Sequence, residues 1–305
     1  MIGRLVEIAT DGSHLELDRG FLVVRTPGSD GGRIPIDDIA AVICSAHGLT
    51  HTSNVLVALA DRGAPVVLCG AKFSPVAVVM PIEGNYELSA RIEAQVGATL
   101  PLKKRIWQQI VRAKLRIQGA VLSATGASSA HLLRLAKGVR AGDVGNAEAV
   151  GARHYWTALF GPDFRRDRDA PGTNVHLNYG YAVLRSAMAR SVVAVGLHPS
   201  LGVHHRNDHN AMRLIDDLIE PFRPLVDIRV HGLPGRETDL TTDAKRHLAR
   251  LLYTDFASIA GVTPLIACMQ RTALSLVNVY KGEAGILETP EIPTVEALLA
   301  LSRAP

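Results

Sequence analysis

The sequence predicts an α+β protein with a small β-rich N-terminal domain followed by a larger all-helical C-terminal domain. Short runs of Val, Ile and Leu, separated by turn residues, occupy residues 1–84 and are typical of strands. In residues 85–305, apolar residues recur at helical spacing instead. Hydrophobic residues make up 47% of the 305 residues, which is enough to bury a core in each domain.

Strand-like runs dominate the N-terminal domain, and they read RLVEIAT, HLELDRGFLVVRT, GRIPIDDIAAVIC and APVVLCG. Asp18, Arg19 and Gly20 lie between two apolar runs and predict a hairpin turn. One helix is expected among the strands, because Ser53 or Asn54 can cap the run NVLVALADRG. The segment PIEGNYE follows the last apolar run and predicts a linker into the second domain.

The second domain contains seven segments with an apolar face at helical spacing, and each predicts a helix. They are LSARIEAQVGATL, PLKKRIWQQIVRAKLRIQGAVL, SSAHLLRLAKGVR, NAEAVGARHYWTALFG, NYGYAVLRSAMARSVVAVG, LTTDAKRHLARLLYTDFASIAG and TPLIACMQRTALSLVNVYKG. An eighth helix is expected in AMRLIDDLIE, capped by Asp208 or Asn210. For the C-terminal stretch GILETPEIPTVEALLALSRAP, a final helix and a partner-binding tail both remain open.

The net charge of +4 is unevenly distributed along the chain. Residues 101–168 contain thirteen Lys or Arg against four Asp or Glu, a local charge of +9, and the remainder carries −5. On the first helix of this segment, Lys104, Gln108, Arg112 and Arg116 form a row opposite the apolar face. A basic segment of this kind predicts binding to a polyanion, although a solvated helix face remains the alternative.

The composition also indicates the environment of the protein. Three cysteines lie far apart, which disfavours a disulfide scaffold or a cysteine zinc site and suits a reducing cytosol. The sequence MIGRLVEIAT lacks the apolar core of a signal peptide, and Gly, Lys and Pro interrupt the longest apolar stretches short of a membrane span. We therefore expect a soluble, cytoplasmic protein that does not bind a membrane.

A cluster of histidines and acids suggests a metal site. His204 and His205 lie in a loop-like stretch, and Asp217 and Glu220 follow three residues apart on the helix expected in AMRLIDDLIE, so they share one face. If the loop is extended, only one of the two histidines points inward. Mixed imidazole and carboxylate ligands suit Mn²⁺ or Mg²⁺ better than a closed zinc site.

Two other interpretations of this cluster remain open. The acids can form a solvated surface paired with Arg213 and Arg223, which is the commoner fate of charges on a helix. His205 and His209 also have the spacing of a zinc-binding helix, but Asn207 and Asp208 between them indicate a helix start instead.

Glu148 is a further acid inside the basic segment. An acid in the first turn of a helix can simply favour the positive end of the helix dipole, and spacing alone does not favour Glu148 over Asp143. Arg153, which follows on the same helix, can hold a phosphate or pair with Glu148. Nucleotide-binding loops and the HExxH and GxSxG motifs do not occur, which argues against an ATPase or a dehydrogenase but not against metal-assisted phosphodiester chemistry.

Four ordered motifs give the chain a family resemblance. EAVGARHYW, LNYGYAVLRS, GLHPSLGVHH and DDLIEPFRPLVD together resemble the CRISPR-associated spacer integrases, the Cas-one family, over essentially the whole chain. The double histidine and the DDLxEPFRP pattern resemble most the branch of the type II systems.

The resemblance implies a metal-dependent DNA endonuclease and integrase that inserts foreign-DNA spacers at the repeat array. It implies Glu148, His205 and Glu220 as catalytic and metal-binding residues, Asp217 as an accessory metal position, and Mg²⁺ or Mn²⁺ as the cofactor. The expected partners are double-stranded DNA, a second copy of the chain in a homodimer, a small Cas-two protein, and further type II adaptation proteins.

The basic residues would then contact the DNA backbone, and the affinity for DNA would fall steeply with salt. The candidate contacts are Lys103, Lys104, Arg105, Arg112, Arg116, Arg153, Arg165 and Arg166. Two other functions remain open from the residues alone. One is a metal-dependent DNA repair nuclease or phosphodiesterase without integration, and the other is a non-catalytic helical DNA-binding scaffold.

Overall fold

The computed structural model describes residues 4–70, 75–79, 86–258 and 261–303. The chain divides into two compact units. The first contains Met1–Gln95 and Ala189–His198, and the second contains Val96–Met188 and Pro199–Pro305. The domain boundary predicted between residues 84 and 85, with most of its linker, lies outside the described residues.

The first unit is β-rich, as the sequence predicts. One sheet has the order β1-β5-β7-β8, where β1 and β5 as well as β5 and β7 are parallel and β7 and β8 are antiparallel. The other has the order β4-β3-β2-β6, with a parallel pair only between β2 and β6. The strands are β1 Arg4–Ile8, β2 His14–Asp18, β3 Phe21–Thr26, β4 Ser29–Pro35, β5 Ile39–Cys44, β6 Thr50–His51, β7 Val66–Cys69 and β8 Pro75–Val79.

Local sequence accounts for these connections. Arg19 and Gly20 both have positive φ, 48° and 82°, and close the predicted hairpin between β2 and β3. Helix α1 spans Ser53–Asp61, but its N-cap is Thr52, so the expected cap at Ser53 or Asn54 is wrong by one or two residues. Apolar residues from both sheets and from α1, among them Leu15, Val42 and Leu59, form one buried core.

The second unit is mainly helical. Its longest helix is α3, Leu100–Ala124. This helix contacts α4 (Ala130–Gly138), α5 (Ala147–Phe160), α7 (Arg213–Leu218), α8 (Arg223–His231) and α11 (Val295–Ser302). Helix α2 belongs largely to the first unit, as do the last residues of α6. The helices are α2 Tyr86–Val96, α3 Leu100–Ala124, α4 Ala130–Gly138, α5 Ala147–Phe160, α6 Thr173–Ala194, α7 Arg213–Leu218, α8 Arg223–His231, α9 Thr242–Ala249, α10 Leu265–Lys281 and α11 Val295–Ser302.

The prediction of an all-helical second domain is too simple. Strand β9 Asp255–Ser258 lies inside a segment for which the sequence predicts a helix, and its antiparallel partner β10 Gly261–Pro264 spans the junction of that segment with the next. Val262 and Thr263 are β-branched and therefore fit a strand better than a helix. Pro264 further restricts Thr263 to an extended conformation, so a helix cannot continue from the strand into α10.

Helix α7 is also shorter than predicted. It begins at Arg213 rather than beside Asp208 or Asn210, and it ends at Leu218, before the 3-10 turn Glu220–Phe222. Asn210 accepts a hydrogen bond from the backbone N–H of Met212 at 2.9 Å, which forms a turn ahead of the helix instead of a cap. At the C-terminus, α11 packs against α3 and α8 with Leu298 and Leu301 buried.

Among the helices of the described residues, we find none that is both long enough and apolar enough to cross a membrane.

Candidate active site

Asp217 organises the loop of residues 202–205 in the second unit, which carries His204 and His205 and is called the histidine loop below. Its carboxylate is fully buried, and its Oδ2 atom accepts hydrogen bonds from the backbone N–H of Val203 at 2.7 Å and of His204 at 2.9 Å. Its Oδ1 atom accepts from the His205 backbone N–H at 3.3 Å and from the His205 ring Nδ1 at 2.6 Å. Gly202 allows the backbone to pass this close to Asp217, because a Cβ there would lie 3.1 Å from Oδ2 of Asp217 and 2.9 Å from the His205 carbonyl oxygen.

The hydrogen bond that His205 donates to Asp217 sets the tautomer and raises the pKa of the imidazole. Together with the negative charge of the acid, it raises the pKa of His205 above its ordinary value of 6.5, against the effect of partial burial. Since Nδ1–H donates to Asp217, Nε2 is the ring nitrogen that remains to bind a metal. The geometry thus gives Asp217 a positioning contact, whereas its predicted role as an accessory metal ligand stays a prediction.

Trp107 supports both histidines. The imidazole of His204 stacks on the buried indole, with ring centroids 4.2 Å apart and planes at 1°, and His205 meets the same indole edge-on at 5.9 Å. The sequence predicts that only one of the two rings points inward, but both pack against Trp107. The two histidines differ in their contact with Asp217, to which the ring of His205 bonds. They also differ in pKa, because burial lowers the pKa of His204.

Asp143 and Glu148 have different roles at the start of α5. Asp143 caps the helix by accepting hydrogen bonds from the backbone N–H of Ala147 at 2.9 Å and of Glu148 at 3.0 Å. The Glu148 side chain reaches α3 instead. Gly151, one turn later, allows this close approach of the helices, since a Cβ there would lie 2.4 Å from a methyl carbon of Leu115. Tertiary packing therefore gives Asp143 and Glu148 different roles, which their spacing along the chain does not predict.

Lys114 connects Glu148 with Glu220. Its Nζ atom lies 2.7 Å from Oε1 of Glu148 and 2.5 Å from Oε2 of Glu220. Glu220 is 4% exposed and pairs through Oε1 with Arg223 at 3.0 Å. Burial by itself would raise the pKa of Glu220, but the positive charges of Arg223 and Lys114 outweigh it and lower the pKa. The carboxylate is therefore ionised at neutral pH.

The charge of Lys114 depends on the same two acids. Burial by itself would lower the pKa of this lysine, but Glu220 and Glu148 outweigh that effect and raise it. The alternative of a solvated acidic surface is therefore wrong for Asp217 and Glu220, which are both buried. The predicted pairing of Arg223 with an acid of the cluster is correct, because Arg223 pairs with Glu220. Arg213 pairs with Asp208 instead, at 2.9 Å.

The three predicted catalytic residues thus lie in one region without forming a closed ligand set. Across the described ranges, no group of three or more His, Cys, Asp and Glu side chains is arranged so that it could hold a metal ion. The Oε2 atom of Glu220 is nevertheless buried, and it lies 2.5 Å from the ammonium of Lys114. The donor chemistry of Glu148, His205 and Glu220 fits Mg²⁺ or Mn²⁺.

A further buried acid, Asp227, lies on helix α8. Asp227 of α8 accepts a hydrogen bond from the hydroxyl of Tyr181 on α6. Burial raises the pKa of Asp227 to about 7, while the bond to Tyr181 and nearby positive charges oppose this rise. The guanidinium carbons of Arg223 and Arg166 lie 5.0 Å and 5.4 Å from the centre of the Tyr181 ring. This tyrosine is thus part of the core and is covered by two cations.

The predicted DNA contacts fall into two groups. Lys104, Arg105, Arg116 and Arg153 are exposed. Lys103 is half-buried and lines a cavity of about 360 Å³ together with the histidine loop.

The remaining predicted contacts make hydrogen bonds within the protein. Arg112 donates to the carbonyl oxygen of Val139 at 2.8 Å, and Gln108 of the same predicted row donates to it at 2.7 Å. Arg165 donates to two neighbouring carbonyl oxygens, and Arg166 donates to Asn174 and Asn178 of α6. Arg112 therefore supports the end of α4, so the basic row is not uniformly available to a ligand.

Arg166 also lines a polar cleft of about 410 Å³ in the second unit. Four arginines surround it, of which Arg223 also pairs with Glu220. The other lining residues are Arg168, Asn178, Tyr181, Ala182, Arg185, Asn207, Asn210, Asp216 and Ile219.

Sequence reasoning missed Lys114 and Trp107. The position of Lys114 did carry a signal, because it lies four residues after Ile110 and three before Ile117 and so falls on the apolar face of α3. A lysine on a buried helix face is rare unless it is paired with an acid. The contact of Trp107 with the histidines had no sequence signal, since a buried aromatic residue is most often part of the core.

The comparison with known families is decisive. The family model described as CRISPR associated protein Cas1 matches residues 6–255. The chain belongs to the Cas1 family. It is 36% identical over 294 residues to a CRISPR-associated endonuclease Cas1 of Neisseria meningitidis serogroup C, covering 92% of this chain and 94% of that one. The family predicted from the four motifs is therefore confirmed, and with it the predicted role as a CRISPR-associated endonuclease.

Solved structures show the same fold at lower identity. A Cas1-containing assembly, the partial Cas6-RT-Cas1–Cas2 complex, matches with a TM-score of 0.73 at 18% identity, covering 95% of this chain and 99% of that one. A casposase bound to integration product matches with a TM-score of 0.72 at 17% identity, covering 93% and 97%. The Cas1 fold thus extends over nearly the whole chain.

Proposed function

We propose that this protein joins and cleaves DNA with a divalent metal ion, Mg²⁺ or Mn²⁺, held by Glu148, His205 and Glu220. The buried carboxylate of Glu220 is the observation that carries the proposal, because its Oε2 atom already shares one cation, the ammonium of Lys114, with Glu148. Two carboxylates beside an oriented imidazole are ligands that Mn²⁺ and Mg²⁺ accept.

The chemical step is an attack by the 3′-hydroxyl of a captured DNA fragment on a phosphodiester at the end of a repeat. A new phosphodiester forms, the departing 3′-oxygen leaves as a hydroxyl, and no covalent bond to the protein is needed. With water as the nucleophile, the same site hydrolyses DNA. When bound, the metal ion stabilises the charge that develops on the phosphate and the leaving oxygen.

The protein's own side chains prepare the site for this step. Asp217 accepts a hydrogen bond from Nδ1–H of His205, which leaves Nε2 as the lone-pair nitrogen of the neutral ring and fixes the direction of the ring. Arg223 keeps the Glu220 carboxylate ionised in a buried position. Asp143 fixes the first turn of α5 and with it the position of Glu148.

The arginine-lined cleft gives the DNA backbone a path to these acids. Arg166, Arg168 and Arg185 offer several N–H donors to phosphate oxygens, and Arg223 belongs both to the cleft wall and to the ion pair of Glu220. Contacts of this kind position a strand without reading its sequence. We assign this cleft, with the exposed residues Lys104, Arg105, Arg116 and Arg153, to the binding of DNA.

The proposed partners are double-stranded DNA, a second copy of the chain, Cas2 and, as in the type II branch, further adaptation proteins. Two structural neighbours support DNA and Cas2 as partners, since one is a casposase bound to an integration product and the other belongs to a complex with Cas2.

A supercoiled plasmid incubated with a 3′-hydroxyl duplex and Mn²⁺ or Mg²⁺ tests the proposal. We expect joined products from the wild type and none from Glu220→Gln or His205→Ala. Glu237→Gln is the matched control, because this acid is 66% exposed and its carboxylate pairs with the neighbouring Arg236, away from the three candidate ligands. Nicks without joined products would indicate a hydrolytic repair nuclease instead. Full joining by a folded Glu220→Gln protein would contradict the metal assignment.

A further inference from the structure

The proposed chemistry does not explain why a lysine, Lys114, is buried between two acids of the candidate site. It lies on the buried face of α3, it is 9% exposed, and its ammonium bridges an acid of α5 and the acid that follows α7. Burying an ammonium group is costly unless acids pair with it. The two acids that pair with Lys114 are Glu148 and Glu220, the same two that would hold the metal ion.

The contacts of the ammonium are those a metal ion would need. Nζ is 2.7 Å from Oε1 of Glu148 and 2.5 Å from Oε2 of Glu220, while Arg223 takes the other oxygen of Glu220. A divalent ion binds carboxylate oxygens at about 2.0–2.6 Å. An ion bound to these two oxygens therefore replaces the ammonium, because two cations cannot share the same contacts at such distances.

We propose that Lys114 is an internal counter-cation that holds Glu148 and Glu220 together in the absence of metal and is displaced when the metal binds. The proposal rests on the function proposed above and adds a regulatory step to it. Without Lys114, two carboxylates would face each other in a buried site without a shared positive charge and would repel each other. The flexible four-carbon stem of lysine allows the ammonium to move away, which the planar fork of an arginine does less readily.

Lys114 is accordingly a positioning residue, and metal affinity distinguishes this role from a purely structural one. The test measures Mn²⁺ binding by calorimetry for the wild type and for Lys114→Met, a variant of similar length without the charge. Removing the competitor should lower the Kd for Mn²⁺ by about tenfold or more. Lys137→Met is the control, because Lys137 is exposed on α4 and its replacement changes the net charge by the same amount.

Thermal unfolding provides a second measurement. In the presence of a chelator, Lys114→Met should melt at a lower temperature than the wild type, and Mn²⁺ should raise its Tm by more than it raises that of the wild type. Lys114→Arg covers the case in which the methionine variant does not fold. It keeps the charge and can pair with both carboxylates at once, so we expect it to bind Mn²⁺ more weakly than the wild type.

The outcomes separate this proposal from the one on which it rests. Equal or weaker Mn²⁺ binding by folded Lys114→Met would overturn the role of Lys114, and so would equal or tighter binding by Lys114→Arg. In both cases, binding that Glu220→Gln abolishes would leave the metal site itself intact. If neither the wild type nor Lys114→Met binds Mn²⁺ in a way that Glu220→Gln removes, both proposals are wrong.

Discussion

Replacing Asp217 by Asn tests whether this buried carboxylate prepares His205 for metal binding. Its two oxygens accept four hydrogen bonds, from the backbone N–H groups of Val203, His204 and His205 and from Nδ1 of His205. An asparagine has only one acceptor oxygen, so two of the four donors lose their acceptor. Each buried donor left without an acceptor costs about 1–3 kcal/mol, which gives a range of about 2–6 kcal/mol for Asp217→Asn.

The lower end of this range is the expected value. The asparagine oxygen can keep the two short bonds to Val203 and His204, and its NH₂ group then faces Nδ1 of His205. The imidazole can accept this hydrogen bond only by moving its own proton to Nε2. The longest bond, at 3.3 Å to the His205 backbone N–H, is the one that is lost, and the cost should be about 2 kcal/mol.

The change of tautomer has a measurable consequence. With a proton on Nε2, His205 no longer offers a lone pair to a metal, so Mn²⁺ should bind about 10–100-fold more weakly. Calorimetry measures this affinity, urea unfolding measures the free energy, and ¹⁵N NMR of the imidazole in the metal-free protein identifies the tautomer. If Asp217 were instead only an accessory ligand, the affinity would fall while the tautomer stayed the same.

Asp216→Asn is the matched control for this experiment. Asp216 is the preceding residue and accepts hydrogen bonds from Arg185 at 2.7 Å and Asn210 at 2.7 Å, whereas the hydrogen bonds from residues 203–205 go to Asp217. Its replacement should leave the Mn²⁺ affinity and the tautomer nearly unchanged. An Asp217→Asn protein that binds Mn²⁺ as tightly as the wild type would refute the reasoning.

Two further predictions concern pH and the cap of α5. Because Asp217 raises the pKa of His205 and a metal binds only the neutral imidazole, Mn²⁺ affinity should fall as the pH is lowered through that raised pKa, in a calorimetric pH series. The His205–Asp217 pair has the opposite sign for folding: its stabilisation is fully present below the ordinary pKa of 6.5 and is lost as the pH rises through the raised value. Asp143→Ala should destabilise the protein by about 1 kcal/mol through loss of the helix cap, in urea unfolding, and should weaken Mn²⁺ binding by misplacing Glu148. A loss of stability with unchanged Mn²⁺ affinity would show that the cap does not position the acid.

Local sequence was sufficient for most elements of the fold. The hairpin at Arg19 and Gly20 is predicted by Gly20, which accepts positive φ freely, and the apolar spacing of α3 predicts a buried face. It was insufficient where two signals compete. Apolar residues at helical spacing predict helices on both sides of Val262. Pro264 and the β-branched residues before it oppose a helix there, and the strands β9 and β10 form instead.

The sequence by itself determined the family and the identity of the candidate residues, because ordered motifs and residue chemistry are properties of the chain alone. Tertiary structure decided what each acid does. Asp143 caps a helix, Asp217 bonds a histidine, and Glu148 and Glu220 share the ammonium of Lys114. Spacing along the chain cannot make these distinctions, since a carboxylate's role depends on which donors and cations the packing of distant helices places beside it.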